Sequence, residues 1–223
     1  MNKSAIFFGR NNCKYSKKLH KILKKKFKIH FFESKNFNDK FNFDKIRSVD
    51  YIFCFRSLYI LKKSLLRKVK KFAINFHPGT PNYRGIGCLN FALYENSTTY
   101  GSTAHIIDEK IDNGKILDIK KFKIQKNDNV KTLLEKTHKA MFDQAINLIK
   151  KIQDNNDYLE TLLKKEKNIK WSKKIYKRKR LNQMRKITMG ISASELKKRI
   201  RAFSYNEYKI SLKFHNKNFV IHD

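Results

Sequence analysis

Asn75-Phe76-His77 closes a short apolar run. On a strand, an amide two residues before an imidazole projects from the same face. Paired donors of this kind suit an oxyanion developing on a carbonyl carbon, where each contributes about 2–4 kcal/mol. A carboxylate from a second loop, Asp108 or Asp112, would raise the proton affinity of the imidazole and help carry a proton away. Together these groups match acyl transfer to an amine with no covalent nucleophile. The plainer alternative is that Asn75 caps a turn and His77 is a hydrogen-bonded strand-end histidine.

The backbone around these residues is marked out by composition. The chain has seven Gly and two Pro, and both prolines (Pro78, Pro81) and five glycines (Gly79, Gly85, Gly87, Gly101, Gly114) fall between positions 78 and 114. A sequence that otherwise avoids these residues keeps them where unusual dihedrals or close approach are required. His105 lies in the same window.

Strands and helices must carry this window. Residues 5–9, 28–32, 50–55 and 72–76 are apolar runs read as strands. Between them, Leu19, Ile22, Leu23 and Phe27 keep helical spacing after a cap at Ser16, and Leu58, Leu61, Leu65, Leu66 and Val69 mark a second helix. The alternation predicts an α/β fold with a mostly parallel sheet covered on both faces, whose ligands sit beyond the carboxyl ends of the strands. His77 stands at such an end. Residues 101–107 and 115–122 read as further strands with a turn at 112–114, and residues 130–152 as one long amphipathic helix. Residues 164–185 are dense in Lys and Arg and read as a linker. A short helix (195–200) and a hairpin (208–212 with 219–221) follow.

Lys and Arg total 52 against 19 Asp and Glu, a net charge of +33. Such a charge attracts nucleic acid, acidic lipid or a phosphorylated substrate, although a lysine-rich surface also accumulates under A/T-rich codon usage. With 40% hydrophobic residues the chain is too apolar for a disordered basic tail. No run approaches the ~18 apolar residues of a membrane span, and residues 1–9 lack the features of a signal peptide. Cys13, Cys54 and Cys88 stand far apart, forming neither a disulfide framework nor a metal site, which fits a reducing cytoplasm.

The stretch Asn75-Phe76-His77-Pro78-Gly79-Thr80-Pro81-Asn82-Tyr83-Arg84-Gly85-Ile86-Gly87, followed by Gly101-Ser102-Thr103-Ala104-His105-Ile106-Ile107-Asp108 and Ile111-Asp112-Asn113-Gly114-Lys115-Ile116, resembles the formyltransferase family. The pattern is N-x-H, YRG, GxTxH and DxG, in that order. The resemblance covers about residues 1–155, with a looser echo in Trp171-Ser172 and Arg199-Ile200-Arg201-Ala202.

This resemblance implies a Rossmann-like catalytic domain over 1–155, with 156–223 forming the basic linker and a small C-terminal module. It implies 10-formyltetrahydrofolate as co-substrate and Asn75, His77 and Asp112 as the catalytic residues. Folate would lie against Phe55, Arg56, Ser57 and Leu61 and against the loop carrying Ile106 and Asp108. Tyr83-Arg84-Gly85 would meet an anionic acceptor, or Arg84 would satisfy loop carbonyls. His105 would orient a loop. Trp171 would stack on a base or cover an apolar patch. The loop from His77 to Tyr83 is one residue shorter than the family's and lacks its Leu pair, a departure that bears on the acceptor. Three readings result: formylation of methionyl-tRNA, which the basic segment suits; formylation of a nucleotide-linked amino sugar; and a basic nucleic-acid-binding module without catalysis, against which the intact trio counts.

Overall fold

The computed structural model describes residues 3–165 and 169–221. Residues 166–168 of the basic segment, residues 222–223 of the C-terminal module and the first two residues of the N-terminal stretch lie outside the described residues.

The first apolar run forms β1 (Ser4–Arg10), with residues 5–9 all buried. A strand buried on both faces must lie inside a covered sheet. Next comes α1 (Lys14–Lys24), where Cys13 Sγ caps the Ser16 N–H and Leu19 and Leu23 face the core. It leads to β2 (Lys28–Ser34), β3 (Val49–Phe55), a single-turn α2 (Lys63–Leu66) and β4 (Val69–His77). These four strands pair in parallel in the order β2-β1-β3-β4. After β5 (Arg84–Gly85) and α3 (Cys88–Tyr94), β6 (Thr99–Ile106) and β7 (Ile116–Lys123) extend the sheet antiparallel beyond β4.

The long helix is α4 (Val130–Asp154), opened by a capping box between Asn129 and Thr132. Then come α5 (Tyr158–Lys164), β8 (Ile175–Tyr176), α6 (Arg178–Met184), β9 (Lys186–Ile187), α7 (Ala193–Phe203), β10 (Ser211–Phe214) and β11 (Lys217–Val220). The last two strands and β9 make a small separate sheet, while β8 pairs with β5. Among the described residues no helix is long and apolar enough to cross a membrane.

One sheet face, with Phe7, Phe53, Phe55, Ile74 and Phe76, packs under α1, α4 and α5. The other, with Ile6, Phe8, Ile52, Cys54 and Ala73, is covered by Leu65 and by aromatic loop residues such as Phe41, Phe43 and Tyr59. Asn75 and His77 alternate with Ile74 and Phe76, so they belong to this second face.

Three elements differ from the sequence expectation. The helix expected over 58–69 shrinks to α2, because Arg56 takes a left-handed φ of 56°, Ser57 Oγ accepts the Tyr59 N–H, and Val69 begins β4 opposite Val49. The expected linker contains β8 and α6, and Tyr176, Leu181 and Met184 join Phe203 and Ile210 in a core shared with α3, Tyr100 and Leu133. The hairpin turns at His215-Asn216, both at positive φ, which shifts its first strand to β10.

Candidate active site

The antiparallel pairing of β4 with β6 sets Asn75 opposite His105 and His77 opposite Thr103. Asn75 Nδ2 lies 3.1 Å from His105 Nε2, and His105 Nδ1 lies 2.8 Å from the Ile106 carbonyl. The Nδ1–H therefore donates to that carbonyl, and the Nε2 lone pair accepts from the Asn75 amide. The other amide N–H of Asn75 has no partner among the described residues.

Asp112 arrives from the loop between β6 and β7. Its backbone is left-handed (φ 45°), and its Oδ2 accepts the Gly85 N–H at 3.0 Å. Its Oδ1 lies 3.3 Å from His77 Nδ1 and 3.6 Å from His105 Nε2. His77 and Asp112 are 2% and 8% exposed, so their charges are stable only as a pair. Burial works to lower the His77 pKa, but the Asp112 carboxylate overrides it and holds the imidazole well above its ordinary value. For Asp112 burial works upward; the His77 charge and hydrogen bonds from His77 and the Gly85 N–H hold the carboxyl well below the usual range. The result is a buried imidazolium–carboxylate pair. The second imidazole N–H, on Nε2, donates to the Tyr83 carbonyl at 2.7 Å, and Cys88 Sγ stands 3.8 Å away.

These directions fix a pH dependence. The raised His77 contributes stability that is fully present below about pH 6.5 and is lost as pH rises through its folded pKa. The depressed Asp112 contributes stability present above about pH 4 and lost as pH falls further. Wild type should thus exceed His77→Gln in melting temperature most between about pH 4 and 6.5, with the gap narrowing on both sides. Melting curves across pH check this, and a gap independent of pH would overturn the ion pair.

Asp112, not Asp108, faces the histidine; the Asp108 carboxylate accepts from the Lys110 N–H and Asn113 Nδ2. Tyr83, Arg84 and Gly85 are turned inward, and of the two readings of Arg84 the geometry has it satisfying loop carbonyls rather than facing an acceptor. Arg84 is buried, its Nη1 donating to Ser172 O (2.9 Å) and its Nη2 to Ile111 O (3.0 Å). It therefore clamps the Asp112 loop to the chain that follows Trp171. Tyr83 supplies its carbonyl to His77 and stacks on Tyr176. Gly85 sits at φ 89°, where a Cβ would lie 2.3 Å from the Tyr176 carbonyl, so the β5·β8 ladder admits no side chain there.

Of the residues expected to hold folate, Phe55 is fully buried among Phe53 and Phe76 and presents no side chain to a ligand. Arg56 donates to Cys13 Sγ at 3.2 Å, and Ser57 Oγ lies 3.3 Å from Ser34 Oγ. Leu61 and Ile107 pack into the same face, and Lys63 pairs with Glu109 at 2.6 Å, so the segment after β3 and the loop after β6 do meet. Ile106 is half-buried against the α4-side core.

Trp171, read from sequence as stacking on a base or covering an apolar patch, stands against the two histidines. Its Nε1–H donates to Gly114 O at 2.8 Å, and its ring meets His77 (5.6 Å, 79°) and His105 (5.0 Å, 85°) edge-on. Its being the single tryptophan of the sequence was a signal for its place but not for these partners.

The fold is similar to the crystal structure of a 4-N formyltransferase from Francisella tularensis (TM-score 0.75, 20% identity, covering 99% of this chain and 97% of that one). It is also similar to the N-formyltransferase from Helicobacter canadensis crystallised with folinic acid and dTDP-3-aminofucose (TM-score 0.71, 21% identity, 96% and 85% covered). By sequence, the chain is 29% identical over 196 residues to the methionyl-tRNA formyltransferase of Buchnera aphidicola, covering 82% of this chain and 57% of the relative. It spans from a quarter to just over half the length of the curated relatives it matches. A family model described as formyl transferase matches residues 9–148, well over half the chain, and the chain belongs to that family.

Proposed function

We propose that the protein transfers the formyl group of 10-formyltetrahydrofolate to the amino group of an aminoacyl-tRNA. The observation that carries the chemistry is the buried His77–Asp112 ion pair beside Asn75 at the carboxyl end of β4. The acceptor amine attacks the formyl carbon, and the free Asn75 N–H and the His77 imidazolium stabilise the oxyanion that forms. Asp112 keeps His77 charged and, directly or through a water, takes the proton the amine loses. Collapse of the tetrahedral intermediate breaks the bond to N10, which leaves protonated as tetrahydrofolate. Folate lies on the second sheet face, where the segment after β3 meets the loop after β6.

The tRNA acceptor is supported by the +33 charge and by the methionyl-tRNA formyltransferases among the sequence relatives. A nucleotide-linked amino sugar is the second reading, favoured by likeness along nearly the whole chain to enzymes such as that of Helicobacter canadensis. Three buried free cysteines suit a cytoplasmic setting.

A formyl-transfer assay offering methionyl-tRNA and nucleotide-linked amino sugars side by side separates the two. Methionyl-tRNA should be the better acceptor, with kcat/KM falling steeply with salt as phosphate contacts release counterions. A preference for the sugar with a flat salt response would overturn the tRNA reading.

A further inference from the structure

Beside the β5·β8 ladder lies a groove of about 360 Å³. Phe91 and Tyr94 of α3, with Glu95 just after it, form one wall; Ile175 of β8 with Arg180 and Met184 of α6 forms the other. At its floor the rings of Phe91 and Tyr176 stack at 4.1 Å. This volume falls at the small end of the ~300–1,000 Å³ typical of small-ligand sites. It suits a single planar group with its phosphate and excludes a duplex.

Charge decides what such a group must carry. The exposed Lys177, Lys179 and Arg180 line the groove, and no side chain of the three is in an ion pair or hydrogen bond among the described residues. The one carboxylate in the lining, Glu95, already accepts from Lys174 Nζ (2.8 Å) and Tyr176 OH (2.7 Å). Three cations thus surround an apolar slot with no free counter-charge. Phosphates answer the cations, and a base answers the slot, because every base has a π-face that packs on aromatic and aliphatic side chains.

The geometry points to this groove as the seat of one unpaired nucleotide of the acceptor RNA, an inference that rests on the aminoacyl-tRNA reading. Lys177, Lys179 and Arg180 hold the phosphates, and the base lies against Tyr94 and Ile175. Gly85 pairs with Tyr176 at the groove floor while its N–H fixes Asp112. The ladder that seats the RNA end is therefore the one that sets the catalytic carboxylate.

The test uses the full chain and a fluorescently labelled single-stranded RNA ending in CCA. Lys179→Glu/Arg180→Glu should weaken binding roughly tenfold or more, and raise KM for methionyl-tRNA similarly with kcat unchanged. The log–log salt slope should flatten by about 1–2. Lys18→Glu/Lys21→Glu, an equal charge change on α1, should alter each quantity far less. Equal weakening by both variants, no binding of the single strand by wild type, or dependence on Lys179 and Arg180 seen only with a nucleotide-linked sugar would each overturn the inference. If methionyl-tRNA is formylated and the groove variant matches wild type, the groove inference alone fails. If wild type binds the single strand through the groove but formylates no tRNA, the acceptor reading alone fails.

Discussion

His77→Ala and Asp112→Asn should each lower formyl transfer on the order of 10³-fold, and the double variant should lose little more than either one. The two side chains form one unit: the imidazolium is charged because the carboxylate lies 3.3 Å away, and the carboxylate stays ionised while buried because of the imidazolium. Removing His77 takes a positive charge from beside the oxyanion. Replacing Asp112 leaves the imidazole neutral and its Nδ1 without a carboxylate, so the same stabilisation is lost by another route. Single-turnover rates with far-UV circular dichroism on all three variants check this. Multiplicative losses in the double variant would mean that the residues act separately.

Arg84→Ala should be the most destabilising single change around the site, at about 3–5 kcal/mol, or a melting temperature lower by roughly 10 °C. Arg84 is 7% exposed and donates to two main-chain carbonyls from different parts of the chain, Ile111 and Ser172. Without the guanidinium both carbonyls lose a charged partner and the Asp112 loop loses its clamp. Arg84→Lys should recover little, because an ammonium cannot reproduce the planar fork that reaches both acceptors. Thermal melts of the three proteins settle the matter, and an Arg84→Ala melt within about 2 °C of wild type would exclude the clamp.

The strands were legible because β1, β3 and β4 are near-continuous apolar runs, which only a sheet covered on both faces accommodates. The window of the candidate site was legible because Gly and Pro are scarce elsewhere. Periodicity failed at α3, where six of seven residues are buried, so no polar face betrays the helix. It failed at α6 for the opposite reason: among Arg178, Lys179 and Arg180 only Leu181 and Met184 are buried, too few to outline a stripe. The Leu spacing over 58–69 misled because leucines filling a loop can match a helical period. Spacing alone left Asp108 and Asp112 open, and only the DxG resemblance singled out Asp112, whose approach to His77 depends on a left-handed backbone. The inward turn of Arg84 depends on carbonyl partners 27 and 88 residues away, which is not a property of local sequence.

Trp171 and Ser172 hold the site from far along the chain, through Gly114 O, Pro81 O and the Arg84 clamp. During translation, Asn75, His77 and Asp112 leave the ribosome well before these partners do. At ~5–20 residues per second, the interval from residue 114 to residue 172 lasts roughly 3–12 s. Throughout that time the nascent polypeptide carries the three proposed catalytic groups yet lacks the indole that walls them in, so on that proposal catalytic competence is acquired late in synthesis.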